Sequence, residues 1–197
     1  MAKNDSDITL CFPGENGWEL WSEQSGRLVL GETRPLEEGN EGGCEPFQSA
    51  SHYAFPVNSV FAVPIWTATD SPEMLGNLVE MQLEKSGLKP EPGSGRMLDY
   101  RTVQTVDSGE GRRHLILATV LNADYHHPLP NKGAKEFDVS ARFLNFPGNH
   151  IVIWRELGRL VAALTRGGEL VYFQGLNSSE FDSAAVQEIR LPKYSMV

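Results

Sequence analysis

Cysteine is scarce in this chain. Its 197 residues include only Cys11 and Cys44. Two isolated cysteines do not make the disulfide framework of a small secreted domain, although they leave one bridge open. Free thiols in a reducing compartment are expected. Long apolar runs are missing too. None approaches the ~20 residues that span a bilayer, and Met1 to Thr9 lacks the apolar centre of a secretory signal. Basic residues are in deficit, with 17 Lys and Arg against 26 Asp and Glu and a formal net charge of −9. Much of the excess lies before residue 47, in Glu15, Glu19, Glu23, Glu32, Glu37, Glu38, Glu41 and Glu45. Nucleic acid is excluded as a partner, because its binding rests on Lys and Arg displacing counterions. An anionic membrane face would repel such a surface as well. A cytoplasmic, soluble protein with protein partners is the expectation, and the sequence contains no membrane segment.

Catalytic motifs are also wanting. No Walker-type phosphate loop is present, and no Gly-x-Gly-x-x-Gly follows a predicted strand. Gly93-Ser94-Gly95 follows a proline-rich turn and leads into no helix, so it lacks the frame of a nucleophile elbow. Asp124-Tyr125-His126-His127 is the one cluster with metal-ligand character. Adjacent histidines on a strand point to opposite faces, and no further ligand sits at a usual spacing. A solvated loop bounded by proline explains it better. Asp107-Ser108-Gly109-Glu110-Gly111 has glycines suited to an anion nest, yet Glu110 opposes phosphate and the run reads as a five-residue hairpin loop. No catalytic residue, cofactor or metal is therefore assigned.

What remains is a patterned globular chain, since 40% hydrophobic and 22% charged residues make disorder the exception. Asp7–Pro13, Gly17–Ser22 and Arg27–Gly31 alternate apolar with polar residues. They are separated by the turns Gly14-Glu15-Asn16 and Gln24-Ser25-Gly26, which predicts three antiparallel strands. Trp18, Leu20, Leu28 and Leu30 are the core candidates. Pro35 to Ser51 breaks the pattern, with a Glu37–Gly43 run that has neither period nor apolar residues, and reads as a surface loop. Ser59–Trp66 is apolar at nearly every position, which predicts a strand central in a sheet, with Pro64 making its far end an edge or bulge.

Asp70-Ser71-Pro72-Glu73 starts a helix, with Ser71 as cap and Pro72 in the first turn. Met74, Leu75, Leu78, Val79 and Leu83 form its inner face, Glu80, Glu84 and Lys85 point outward, and Gly87 ends it. Three strand pairs follow: Met97–Val106 with His114–Asn122, Asp138–Phe146 with His150–Trp154, and Arg159–Thr165 with Glu169–Phe173. A helix over Ser179–Glu188, with Phe181, Ala184, Ala185 and Ile189 inward, precedes a tail at Leu191–Val197. Glu169-Leu170-Val171-Tyr172-Phe173-Gln174-Gly175 matches a protease-tag consensus but continues the strand pattern, so it is read as native. Trp154 and Arg155 follow an apolar strand, where such a pair either anchors an interface or sets a core Trp beside a solvated Arg.

Strand runs with few helices imply an α+β fold with a mixed or antiparallel sheet. The expected units are residues 1–54 (meander and acidic loop), 55–135 (strand, helix and hairpin) and 136–197 (hairpins and helix), which can form one compact body.

The middle of the chain resembles a known family. Phe55-Pro56-Val57-Asn58-Ser59-Val60-Phe61-Ala62-Val63-Pro64, the helix ending Glu80-Met81-Gln82-Leu83-Glu84, and Leu98-Asp99-Tyr100 before a hairpin are similar to the PilM/GspL group. These are actin-like cytoplasmic proteins of bacterial type IV pilus and type II secretion assembly platforms. The opening meander looks like the start of an actin-like, ribonuclease H-like subdomain, and the hairpin at Val161–Phe173 like the start of a second. The resemblance implies a partial actin-like fold, because 197 residues are few for two complete lobes. It also implies a non-catalytic scaffold at the cytoplasmic face of the inner membrane. Partners would be the secretion or pilus ATPase, other platform proteins or a second copy of the chain, and a membrane helix would continue beyond this sequence. Actin-like ATPases carry Asp-x-Gly in the first hairpin turn, whereas here the turn is Pro13-Gly14-Glu15-Asn16-Gly17, with an acid where phosphate would sit. Two alternatives stand beside the scaffold. One is an actin-like ATPase fragment binding Mg·ATP near Asp107 and Gly109. The other is a small metal-dependent hydrolase using Asp124, His126 and His127.

Overall fold

The computed structural model describes residues 8–36, 50–69, 71–88, 98–109, 111–121 and 136–189. Gly93-Ser94-Gly95, the Asp124–His127 cluster, Cys44, the Glu37–Gly43 run and Leu191–Val197 lie outside the described residues.

The chain opens with the expected meander of β1 (Thr9–Pro13), β2 (Gly17–Gln24) and β3 (Arg27–Pro35). Trp18 is 1% exposed and packs with Cys11, Tyr53 and Phe55, with Leu20 half-buried against them. Leu28 and Leu30, expected in this core, are instead 51% and 44% exposed. The reason is position: β3 is the outermost strand, and all nine of its residues are exposed.

β4 (His52–Phe55) runs parallel to β1, and β8 (Glu136–Val139) runs parallel to β4, giving the order β3-β2-β1-β4-β8. The predicted pairing of Asp138–Phe146 with His150–Trp154 therefore does not form. After Val139 the chain enters a 3-10 turn at Ser140–Phe143, and β9 (Ile151–Glu156) pairs with β10 (Arg159–Arg166) instead. Parallel pairing joins strands far apart in sequence, so no turn signal reveals it.

The second sheet has the order β5-β7-β6, with β5 (Val60–Thr67), β6 (Leu98–Ser108) and β7 (Gly111–Leu121). The apolar strand expected at the centre, β5, is an outer one. Pro64 fits that place because it has no N–H to donate. β7 is central and covered on both faces, which accounts for its unbroken apolar run. Leu117 joins Val57, Val161 and Phe173 on one side, while Ile116, Ala118 and Val120 meet Val79 and Leu83 of α1 (Pro72–Lys85) on the other. α1 begins and ends as predicted, and Gly87 takes φ +69° just beyond it. Two details differ. Ser71 offers no side-chain cap, and Met74 is 59% exposed. The β6–β7 loop is also tighter than the five-residue expectation, since Ser108 already faces Gly111.

β9, β10 and β11 (Glu169–Gly175) form a third, antiparallel sheet in the order β11-β10-β9. The protease-consensus segment is β11, a paired strand of the core. α2 (Ser183–Glu188) covers this sheet by packing Ala185 against Leu160, Ala162 and Leu176. It starts later than Ser179 because Asp182 is the cap, accepting from the Ala184 and Ala185 N–H groups at 2.9 Å each. Phe181 and Ala184, expected inward, are exposed.

Candidate functional site: two hairpin turns and a buried carboxylate

The β1–β2 turn is held by the Gly14 N–H donating to the Gly17 carbonyl at 2.8 Å. The β9–β10 turn is Leu157-Gly158, with positive φ at both residues, +50° and +76°. This left-handed pair suits a two-residue hairpin and costs Leu157 some backbone strain. The two turns meet directly. The Leu157 N–H donates to the Gly14 carbonyl and the Gly158 N–H to the Glu15 carbonyl, both at 2.8 Å. Arg155 crosses the same seam, pairing with Glu15 at 3.2 Å and Glu180 at 3.0 Å.

Strand alternation separates Trp154 from Arg155. Arg155 faces out, whereas Trp154 turns inward with Glu156, stacks at 5.6 Å on Phe146 and donates its indole N–H to Glu156 at 2.8 Å. Trp154 is thus half-buried against the core, and Arg155 is half-exposed beside it. Glu156, which pattern reading passed over, is fully buried. It also accepts from the Ser140 hydroxyl at 2.5 Å and the Val57 N–H at 2.9 Å. One carboxylate thus ties β9 to both 3-10 turns, Val57–Ser59 and Ser140–Phe143. Burial pushes its pKa up to about 6, against the three donors that favour the charged form. The only sequence signal was a lone acid closing the apolar strand Ile151–Trp154.

Asp107 sits elsewhere, at the exposed β6–β7 hairpin, where Arg112 pairs with it at 3.1 Å. The structure does not bring Asp107 and Gly109 to the seam. Among the described residues no group of three His, Cys, Asp or Glu side chains converges to hold a metal. Cys11 is a buried thiol.

A second concavity, of about 250 Å3, lies between the first two sheets, floored by Phe55, Val60, Leu98, Leu121 and Phe137. Its rim is a clamp. Arg101 bridges Asp99 at 3.1 Å and Asp138 at 2.8 Å, and Arg142 bridges the same two acids at 2.6 and 3.1 Å. Two cations and two anions balance in this rim, while Arg142 Nη2 is buried without a hydrogen-bond partner.

The fold is shared with a solved structure. The chain is similar to Cyto-EpsL, the cytoplasmic domain of EpsL, an inner-membrane component of the type II secretion system of Vibrio cholerae. The TM-score is 0.52 at 7% sequence identity, over 87% of this chain and 71% of that one. No family model matches the sequence, and no curated protein does. The fold of this chain is mostly β-sheet with few helices, and the likeness falls on the type II secretion side of the group the sequence resembles. Among the described residues no helix is long and apolar enough to cross a membrane.

Proposed function

We propose that this chain is a non-catalytic scaffold domain of a type II secretion platform, placed at the cytoplasmic face of the inner membrane. The shared fold supports the setting. The seam carries the distinction between scaffold and ATPase. Phosphate is held by backbone N–H groups and positive charge. At this seam the Leu157 and Gly158 N–H groups already donate to Gly14 and Glu15, and Arg155 pairs with two carboxylates. These residues do not fit a nucleotide, so no step through ATP is assigned and the two hairpins act as one strut.

Partners are platform proteins, foremost the secretion ATPase, reached through the acidic surface and the exposed Arg155 side of the seam. Calorimetric titration of the purified chain with the ATPase of its own assembly tests this. Saturable binding that weakens in Arg155→Ala, with the melting temperature unchanged, is expected. No binding at micromolar concentrations of either protein would contradict the reading.

A further inference from the structure

β3 is the edge of the five-stranded sheet, and among the described residues no strand pairs with its outer side. Both its faces are wet, and three consecutive large apolar residues, Leu28, Val29 and Leu30, are 51%, 40% and 44% exposed. Natural edge strands are kept short, charged or twisted away, because an unpaired ladder recruits another strand. This one runs nine residues with an uncharged centre from Leu28 to Gly31, regular through Leu30 and bulged at Gly31, where Leu20 faces Glu32 and Trp21 faces Leu30.

We infer that β3 pairs antiparallel with β3 of a second copy, joining two five-stranded sheets across a twofold axis at Val29. Residues facing each other across an antiparallel pair share a face, so in a twofold pairing the axis passes through one residue position. An axis at Val29 sets Val29 against itself and each Leu28 against Leu30 of the other copy. The regular ladder ends at the Gly31 bulge, so Arg27 and Glu32 flank the paired stretch. Every large apolar residue is covered, and no like charges oppose. An axis at Arg27 or Glu32 would set like charges against each other, and an axis at Leu30 or Gly31 sets a leucine opposite Glu32. An axis at Thr33 pairs Glu32 with Arg34 but leaves Leu28 and Val29 in water. An axis at Leu28 sets Val29 opposite Arg27 and Leu30 opposite Gly26, so of these registers the Val29 one matches apolar to apolar at all three central residues. The inference goes beyond the scaffold reading and stands or falls separately from it.

Each copy carries a formal charge of −9, so added salt screens the repulsion between copies and strengthens an apolar pairing. A basic partner protein on the same strand would show the opposite trend. Sedimentation equilibrium of the full chain, from micromolar to sub-millimolar concentration, gives the test. The wild type associates to a dimer, more tightly at higher salt. Val29→Lys sets two like charges together and weakens association by about tenfold or more. Leu28→Lys and Leu30→Glu each weaken it alone, and mixing these two variants restores dimers by setting a lysine opposite a glutamate. Unchanged melting temperatures show that the variants fold. A wild type that stays monomeric, or a dimer indifferent to Val29→Lys, overturns the inference. Hydrogen-exchange protection of β3 that appears only when a platform protein is added also overturns it.

Discussion

Glu156 concentrates the physical chemistry of this molecule in one side chain. Its three donors come from β9, from the turn before β5 and from the turn after β8, so losing the carboxylate leaves three buried donors facing no acceptor. Glu156→Gln retains the shape but turns an N–H toward groups that also donate, and is expected to cost about 1–3 kcal/mol. The pH dependence has a definite sign. The folded pKa is raised, from 4.5 to about 6. The stability this group contributes is therefore fully present below pH 4.5 and lost as pH rises through 6. The gap corresponds to roughly 2 kcal/mol. Urea unfolding of wild type and Glu156→Gln over this window should show their difference shrinking as pH rises; a flat difference would mean that the carboxylate titrates as in water. Glu156 escaped pattern reading because two of its three partners, Val57 and Ser140, lie far from it along the chain, and a terminal acid after an apolar strand looks solvated. Trp154 was visible as an anchor, but its choice of inside over outside depended on Phe146 and Glu156.

At the level of elements, local signals were read well and non-local ones poorly. The meander, α1 and the β10–β11 hairpin each carry their signals within a few residues, and all three are present. The parallel neighbours of β4 carry none, which is why β8 was assigned to the wrong partner; β5 was misplaced because its unbroken apolar run reads like that of a central strand. Caps divide the same way. Asp182 accepts two N–H groups at the start of α2, while the Ser71 hydroxyl accepts none at α1. Asp182→Ala should therefore cost about 1 kcal/mol, and Ser71→Ala only a few tenths. Thermal unfolding of the two variants compares them, and equal losses would contradict the assignment of caps. Gly17 is a packing requirement of the meander: a methyl there would overlap the Arg34 carbonyl oxygen and the Pro35 Cα. Gly17→Ala should push β2 from β3 and cost about 2 kcal/mol or more. Chemical denaturation reads this loss, and a variant as stable as wild type would show that β3 yields at that point.

For the whole molecule, two antiparallel meanders, β1–β2–β3 and β9–β10–β11, touch through their first turns. The intervening strands and α1 build the core around β7. The first meander was legible in the sequence, whereas the β9–β10 hairpin was not, because Leu157-Gly158 lacks the Asn, Asp or paired glycines of an obvious turn. Fold class was thus legible from strand density and turns, whereas the seam required the folded chain. The account holds that this seam is closed by protein and that the domain is a scaffold. Thermal unfolding with and without millimolar Mg·ATP tests that most directly, since any ligand of the native state raises the midpoint by mass action. The account predicts an unchanged midpoint; a rise that saturates with Mg·ATP would contradict it and restore the actin-like ATPase.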